Sequence, residues 1–208
     1  MNRIKLSPLA SATSNSTGNS AKDGKSPGKS PLAAFAFDQQ APRSIHDTSI
    51  FAPLHYEKNY SYPLIVWLHS DGQSSSQLES TMLKLSVQNY VGVAPQAPIG
   101  NFHCGYFWEQ DFDSIQTACD LIADSIQQVT DRFNINPQRI FLAGSGGGGT
   151  MALRVGLQQP EQFAGVISLN GPLPRGFSPL AQWPTCRDMP LFWSHCLQNS
   201  DDVIDMCE

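Results

Sequence analysis

Arg139-Ile-Phe-Leu-Ala-Gly-Ser-Gly-Gly-Gly-Gly-Thr-Met-Ala152 is the stretch that decides the fold. It opens on a short apolar run, Ile140 to Ala143, which reads as a buried parallel strand. It closes on Thr150 to Val155, which reads as the start of a helix. Ser145 and the glycines at 144, 146, 147, 148 and 149 stand between them. A strand that turns sharply into a helix needs small residues, because positive φ costs glycine nothing and the helix must lie close to the sheet. Such a turn also aims backbone N–H groups at whatever sits above it. Three chemistries fit. A nucleophile elbow, Gly-x-Ser-x-Gly, presents a serine on a strained turn. In that frame Gly144-x-x-x-Gly148 puts Gly146 where the serine belongs, and Ser145 fits only if the frame slips to Ala143-x-Ser145-x-Gly147. A dinucleotide loop is satisfied by Gly144-x-Gly146-x-x-Gly149, as any glycine run would satisfy it. The carboxylate expected about 20 residues on is missing, because the next strand ends in Asn170. A phosphate-cradling loop lacks its lysine. The fourth reading is a flexible turn without chemistry, although each surplus glycine costs about 0.5–1 kcal/mol of folding entropy.

Composition narrows the rest. The 208 residues suffice for one domain with a full core. Residues 1–45 carry six basic and two acidic side chains and are rich in Ser, Gly, Lys and Pro. They cannot bury enough apolar area to offset ordering, so residues 1–45 are expected to be a disordered tail and 46–208 the folded domain. That domain is acidic, which argues against nucleic acid as its main partner. No window is apolar for long enough to span a membrane. Five cysteines without a CxxC pair read as idle thiols in a reducing compartment, and no secretory signal is visible, so the expected location is cytoplasmic. An organelle transit peptide in the Ser-rich tail is the alternative. No metal-ligand spacing and no cofactor motif stands out.

Strands and helices alternate along the domain. Thr48–Tyr56 reads as an edge strand. Pro63-Leu-Ile-Val-Trp-Leu-His69 is a continuous apolar run and therefore a strand buried on both faces. A helix over 77–89 and a strand over Tyr90–Pro95 follow, and then a loop from Gln96 to Trp108. The helix Ser114–Phe133, capped by Asp113, has Ile115, Cys119, Ile122, Ile126, Val129 and Phe133 at intervals of three and four. After the glycine turn come the strands Phe163–Leu169 and Pro190–His195. The alternation predicts a mostly parallel sheet covered on both sides, with ligands over the carboxyl ends of its strands. Those ends carry His69–Gly72, the 96–108 loop, the glycine turn, Asn170-Gly171 and His195-Cys196.

From Ile50 to Ile204 the chain resembles the phospholipase/carboxylesterase branch of the α/β-hydrolases, which includes the acyl-protein thioesterases. Tyr62–His69 with Gly72 is similar to the family's strand and His-Gly oxyanion loop, and Ala94-Pro-Gln-Ala-Pro98 to its Pro-x-Ala-Pro loop. Asn136–Gly144 with Gly148–Leu153 resembles the strand, elbow and helix around the catalytic serine, and Pro160–Leu169 and Leu191–His195 continue the likeness. The resemblance implies a three-layer α/β-hydrolase sandwich and a Ser–His–Asp enzyme acting on small carboxylic esters or thioesters without a cofactor. It places the oxyanion donors at the backbone N–H groups of Asp71 and Gly147. It makes Asp201 the triad-acid candidate, since Asp201-x-Val203-Ile204 resembles Asp-x-Val-Val, with Asn199 as a rival.

The departures matter as much. Gly146 occupies the nucleophile position, leaving Ser145 as a shifted candidate with His195 or His103 as base. A thiol site at Cys104 beside His103 is a further alternative. No histidine follows Asp201, so the domain is expected to lack the family's last strand and helix. Ser70 replaces a small glycine, and Asp71 brings a carboxylate to a site meant for developing negative charge. The expectation is a degenerate hydrolase, with two alternatives: an active esterase using Ser145, or a non-catalytic module that binds a small anion or a partner. Leu191–Ser194 would form an apolar edge strand, open to a partner chain.

Overall fold

Tyr62-Pro-Leu-Ile-Val-Trp-Leu68 forms β2, and every one of its residues is buried. Its side chains alternate between two separate cores, as a pleated strand between two layers requires. Leu64, Val66 and Leu68 join one core, with Ile115, Ala118 and Ile122 of one helix and Met151, Leu153 and Val155 of another. Ile65 and Trp67 face the opposite core with Leu78 and Met82 of a third helix. The continuous apolar run therefore follows from burial on both faces.

The computed structural model describes residues 48–176 and 186–195. The tail 1–45 lies outside them, as do Asn199 and Asp201. In chain order the elements are β1 (Thr48–Phe51), β2 (Tyr62–Leu68), α1 (Gln77–Leu85), β3 (Val91–Pro95), β4 (Ile99–Asn101), β5 (Gly105–Phe107), α2 (Phe112–Thr130), β6 (Ile135–Ser145), α3 (Gly147–Gln158), β7 (Gly165–Leu169) and β8 (Leu191–Ser194). The main sheet runs β1-β3-β2-β6-β7-β8. Only β1 is antiparallel to its neighbour; the other pairings are parallel. With helices on both faces, this is the three-layer α/β sandwich of an α/β-hydrolase. Among the described residues β8 is an edge, and Leu191 and Phe192 are exposed there.

Three expectations need correction. The 96–108 loop contains a two-stranded hairpin, β4 with β5, in register Ile99 to Phe107. The cap of α2 is Asp111, whose carboxylate accepts from the Ser114 N–H at 3.0 Å, and not Asp113, which lies inside the first turn. Helix α3 begins at Gly147 and not at Thr150, so the last three glycines of the run belong to the helix. Glycine is the poorest ordinary helix former, so tertiary packing must override propensity here. A Cβ on Gly148 would run into the main-chain carbonyls of Leu68 and His69. The start of α3 is thus pressed against the end of β2, closer than any side chain allows.

Candidate functional site

The parallel strands β3, β2, β6, β7 and β8 all deliver their carboxyl ends to one rim, and the glycine turn lies there. Strand β6 ends at Ser145, which pairs in register with Leu169 of β7. The chain then reverses at Gly146, with φ 56° and ψ −130°, and enters α3. That conformation is open to glycine and strained for any side chain. The Gly146 N–H donates to the Leu169 carbonyl at 2.9 Å, and the Gly146 carbonyl accepts from the Thr150 N–H at 3.0 Å, closing the first helical turn. The sharp turn therefore falls on Gly146, while the half-buried Ser145 sits one residue earlier in the strand ladder. Space for a side chain exists at Gly146. A Cβ there would find nothing nearer than Asp71 Oδ2 at 3.6 Å, Ser70 Cβ at 3.8 Å and Asp71 N at 3.9 Å.

The loop after β2 faces this position and is held from several sides. His69 is fully buried. Its Nε2 accepts from the Ala97 N–H and the Gln96 side-chain amide, both at 3.1 Å. Its Nδ1 therefore carries the proton and donates to the Ser70 carbonyl at 2.9 Å. Burial lowers the ring's pKa, outweighing the Ser70 hydrogen bond and the Asp71 charge, which act the other way. A neutral ring with both nitrogens engaged positions the loop and is not available as a base. The His69 carbonyl accepts from the Trp108 indole at 3.1 Å. Gln77 Oε1 accepts from the Ser70 N–H and the Trp67 indole, both at 3.0 Å, and its amide donates to Ser70 Oγ at 3.1 Å. The Gly72 N–H donates to Tyr106 of the β4–β5 hairpin, whose own N–H donates to Gln73.

This loop brings Asp71 to the start of α3. Asp71 Oδ2 accepts from the Gly147 N–H at 2.9 Å. A Cβ on Gly147 would overlap both carboxylate oxygens, so any larger residue there would push the Asp71 side chain aside. Asp71 and Gly147, expected from sequence as the two backbone donors, are thus brought together beside Gly146. The Gly147 donor, however, is already bonded to the Asp71 side chain.

The other candidates are dispersed. His103 and Cys104 lie in the exposed turn of the β4–β5 hairpin, where both backbone N–H groups donate to Asn101 Oδ1 at 2.9 Å. His195 follows β8 with its ring stacked on Trp193 at 6.1 Å between centroids. Its Nδ1 is buried without a hydrogen-bond partner among the described residues. Cys119 is buried in α2, and burial raises its thiol pKa, with Asp120 adding to the effect. Sequence reasoning missed Gln77, Gln96 and Arg154. Gln96 lay in plain view inside the Pro-Gln-Ala-Pro loop, whereas nothing distinguished Gln77 from a surface residue. Arg154 is a fully buried cation in α3. It donates to Gln110 Oε1 at 2.9 Å and to the carbonyls of Arg175 at 2.7 Å and Gly176 at 3.1 Å. It thereby fixes the segment leaving β7 over α3, and burial lowers its pKa. Among the described residues no three His, Cys, Asp or Glu side chains gather as metal ligands would, and no helix is long and apolar enough to cross a membrane.

Comparison with known proteins bears on the family and the fold. Residues 106–208 match the phospholipase/carboxylesterase family model. A curated relative, "Putative esterase NocK" of Nocardia uniformis subsp. tsuyamanensis, is 28% identical over 116 residues, covering 54% of this chain and 33% of its own length. The acetyl xylan esterase of Aspergillus awamori superposes with a TM-score of 0.54 at 18% identity, over 62% of this chain and 48% of that one. The chain thus spans about a third of the curated relative it matches and under half of that solved esterase. The structural likeness speaks to the fold alone. The fold is thus that of an α/β-hydrolase, and residues 106–208, which carry the turn, match the phospholipase/carboxylesterase family.

Proposed function

We propose that this chain is a carboxylic-ester or thioester hydrolase scaffold whose acyl-transfer chemistry is lost or severely reduced. The observation that carries the proposal is the positive φ of Gly146 at the strand-to-helix turn. In the family's arrangement that residue supplies the nucleophile, and glycine offers no atom to attack with. In a serine protease, loss of the serine alone costs about 10⁶ in kcat, nearly as much as loss of the whole triad. What survives, about 10³–10⁴ over water, comes from the oxyanion hole and from binding. Here the Asp71 carboxylate draws on that remainder as well, because it holds the Gly147 N–H.

Ser145 is not favoured as a replacement. It continues the β6–β7 ladder opposite Leu169, and the strained turn that exposes a nucleophile follows it. The ester or thioester class rests on the family match. The thiols of Cys104 and Cys119, unbridged among the described residues, fit a reducing, cytoplasmic setting.

Steady-state hydrolysis of an activated acetyl ester tests the proposal. The full chain is expected to turn it over no faster than the Ser145→Ala variant. Turnover well above background that disappears in Ser145→Ala overturns it.

A further inference from the structure

The donor that should serve a substrate serves a side chain of this protein. Building on the assignment of Gly146 to the nucleophile position, we propose that the Asp71 carboxylate is an autoinhibitory contact. It is a resident anion that occupies the oxyanion position at the start of α3.

Three observations carry this. The contact is direct, Asp71 Oδ2 to the Gly147 N–H at 2.9 Å. The carboxylate also lies over Gly147, where a Cβ would overlap both of its oxygens, and Oδ2 comes within 3.6 Å of the Cβ position of Gly146. It therefore borders the place a nucleophile would fill. Finally, the peptide that carries it is clamped on both sides. Ser70 is held through its N–H and its hydroxyl by Gln77, and the Gly72 N–H by the Tyr106 carbonyl. These bonds fix the backbone on either side of Asp71, whose exposed side chain is held by the Gly147 N–H.

The chemistry of the mimicry is simple. A tetrahedral acyl intermediate carries one negative charge on an oxygen that needs N–H donors at hydrogen-bond distance. A carboxylate oxygen presents the same charge and the same acceptor. The N-terminus of a helix favours either one. A substrate carbonyl would have to displace Asp71 and then develop its charge beside the displaced carboxylate. The serine and the open oxyanion hole are thus both absent, and Gly146→Ser alone is not expected to restore an esterase.

Inorganic phosphate is the probe, titrated against the full chain while thermal unfolding is followed. A ligand bound only by the folded state raises Tm in proportion to the logarithm of its saturation. The native chain is expected to show little response. Asp71→Gly, which frees the Gly147 N–H, is expected to bind phosphate at least tenfold more tightly. Asp71→Asn, which keeps the shape and removes the charge, is expected to fall between them. It decides the matter should Asp71→Gly not fold. Equal phosphate affinity in the native chain and the variants, or no binding in any variant, overturns the proposal. The readout does not involve catalysis. Ester turnover by the native chain would refute the proposed loss of activity, whereas an unchanged phosphate response refutes the autoinhibitory contact.

Discussion

Gly148→Ala separates a packing role of the glycine run from a mere allowance for flexibility, because the two predict opposite signs. Residue 148 lies in the first turn of α3, where replacing glycine by alanine normally stabilises by about 0.8–1.0 kcal/mol. The structure opposes this gain. The new Cβ would overlap the carbonyl oxygens of Leu68 and His69 and lie 2.7 Å from the Leu68 carbonyl carbon. These are main-chain atoms of β2 and of the residue that follows it, and β2 is hydrogen-bonded to β3 on one side and to β6 on the other. They cannot give way as a side chain can, so α3 must lift. The helix carries Met151, Ala152, Leu153 and Val155, all of them in the larger core. Overpacking of this kind costs about 1–3 kcal/mol, and contact with fixed backbone puts it at the upper end. The net expectation is a loss of about 2 kcal/mol, or about 4–8 °C in Tm for a chain of this size. Urea unfolding of the full chain measures it as a lower midpoint at unchanged slope. Gly146→Ala is the control. Its nearest neighbour would be 3.6 Å away, so its penalty is the dihedral one alone, about 1–3 kcal/mol for a side chain held in so sparsely populated a region. A Gly148→Ala protein as stable as the native chain, or more so, refutes the packing argument.

Arg154→Met keeps the stem and removes the fork. It leaves Gln110, Arg175 and Gly176 without their donor, and urea unfolding is expected to show a loss of about 3 kcal/mol. A loss within about 0.5 kcal/mol would mean that these bonds do not hold the segment after β7. His69 carries a pH signature. Its folded pKa lies below the unfolded value, so its neutral burial contributes stability that is complete above about pH 6.5. That contribution is lost as the pH falls from there toward the folded pKa, because the unfolded chain then binds the proton first. His69→Gln retains an acceptor and no longer titrates, so its stability should fall less steeply on the acid side of pH 6.5. Equal slopes for the two proteins would contradict the buried neutral ring.

Much of the fold was legible because its signals are redundant. A seven-residue apolar run such as β2 has no stable home except between two layers, and the stripe of Ile115, Cys119, Ile122 and Val129 fixes the buried face of α2. The β4–β5 hairpin was not legible, since Ile99, Gly100 and Asn101 are all exposed and show no alternation of burial. Asp111 and Asp113 are equally good capping residues, and only the backbone selects the first. The start of α3 was misplaced because glycine propensity argues against helix at 147–149, while close approach to β2 demands glycine there. The site shows the same division. A run of glycines permits two frames for the turn, and the dihedral angles place the sharp reversal on Gly146. The sequence pointed to the Asp71 backbone as a donor, but gave no sign that the side chain bonds to the opposing Gly147 N–H. Asp201 and Asn199 lie outside the described residues.

The most direct measurement is labelling of the full native chain with a fluorophosphonate, located by mass spectrometry of its peptides. With glycine at the turn, the expected result is no adduct anywhere in the Arg139–Ala152 peptide. A stoichiometric adduct on Ser145, absent in Ser145→Ala, would show that the attacking atom survives one residue earlier and would contradict the central claim.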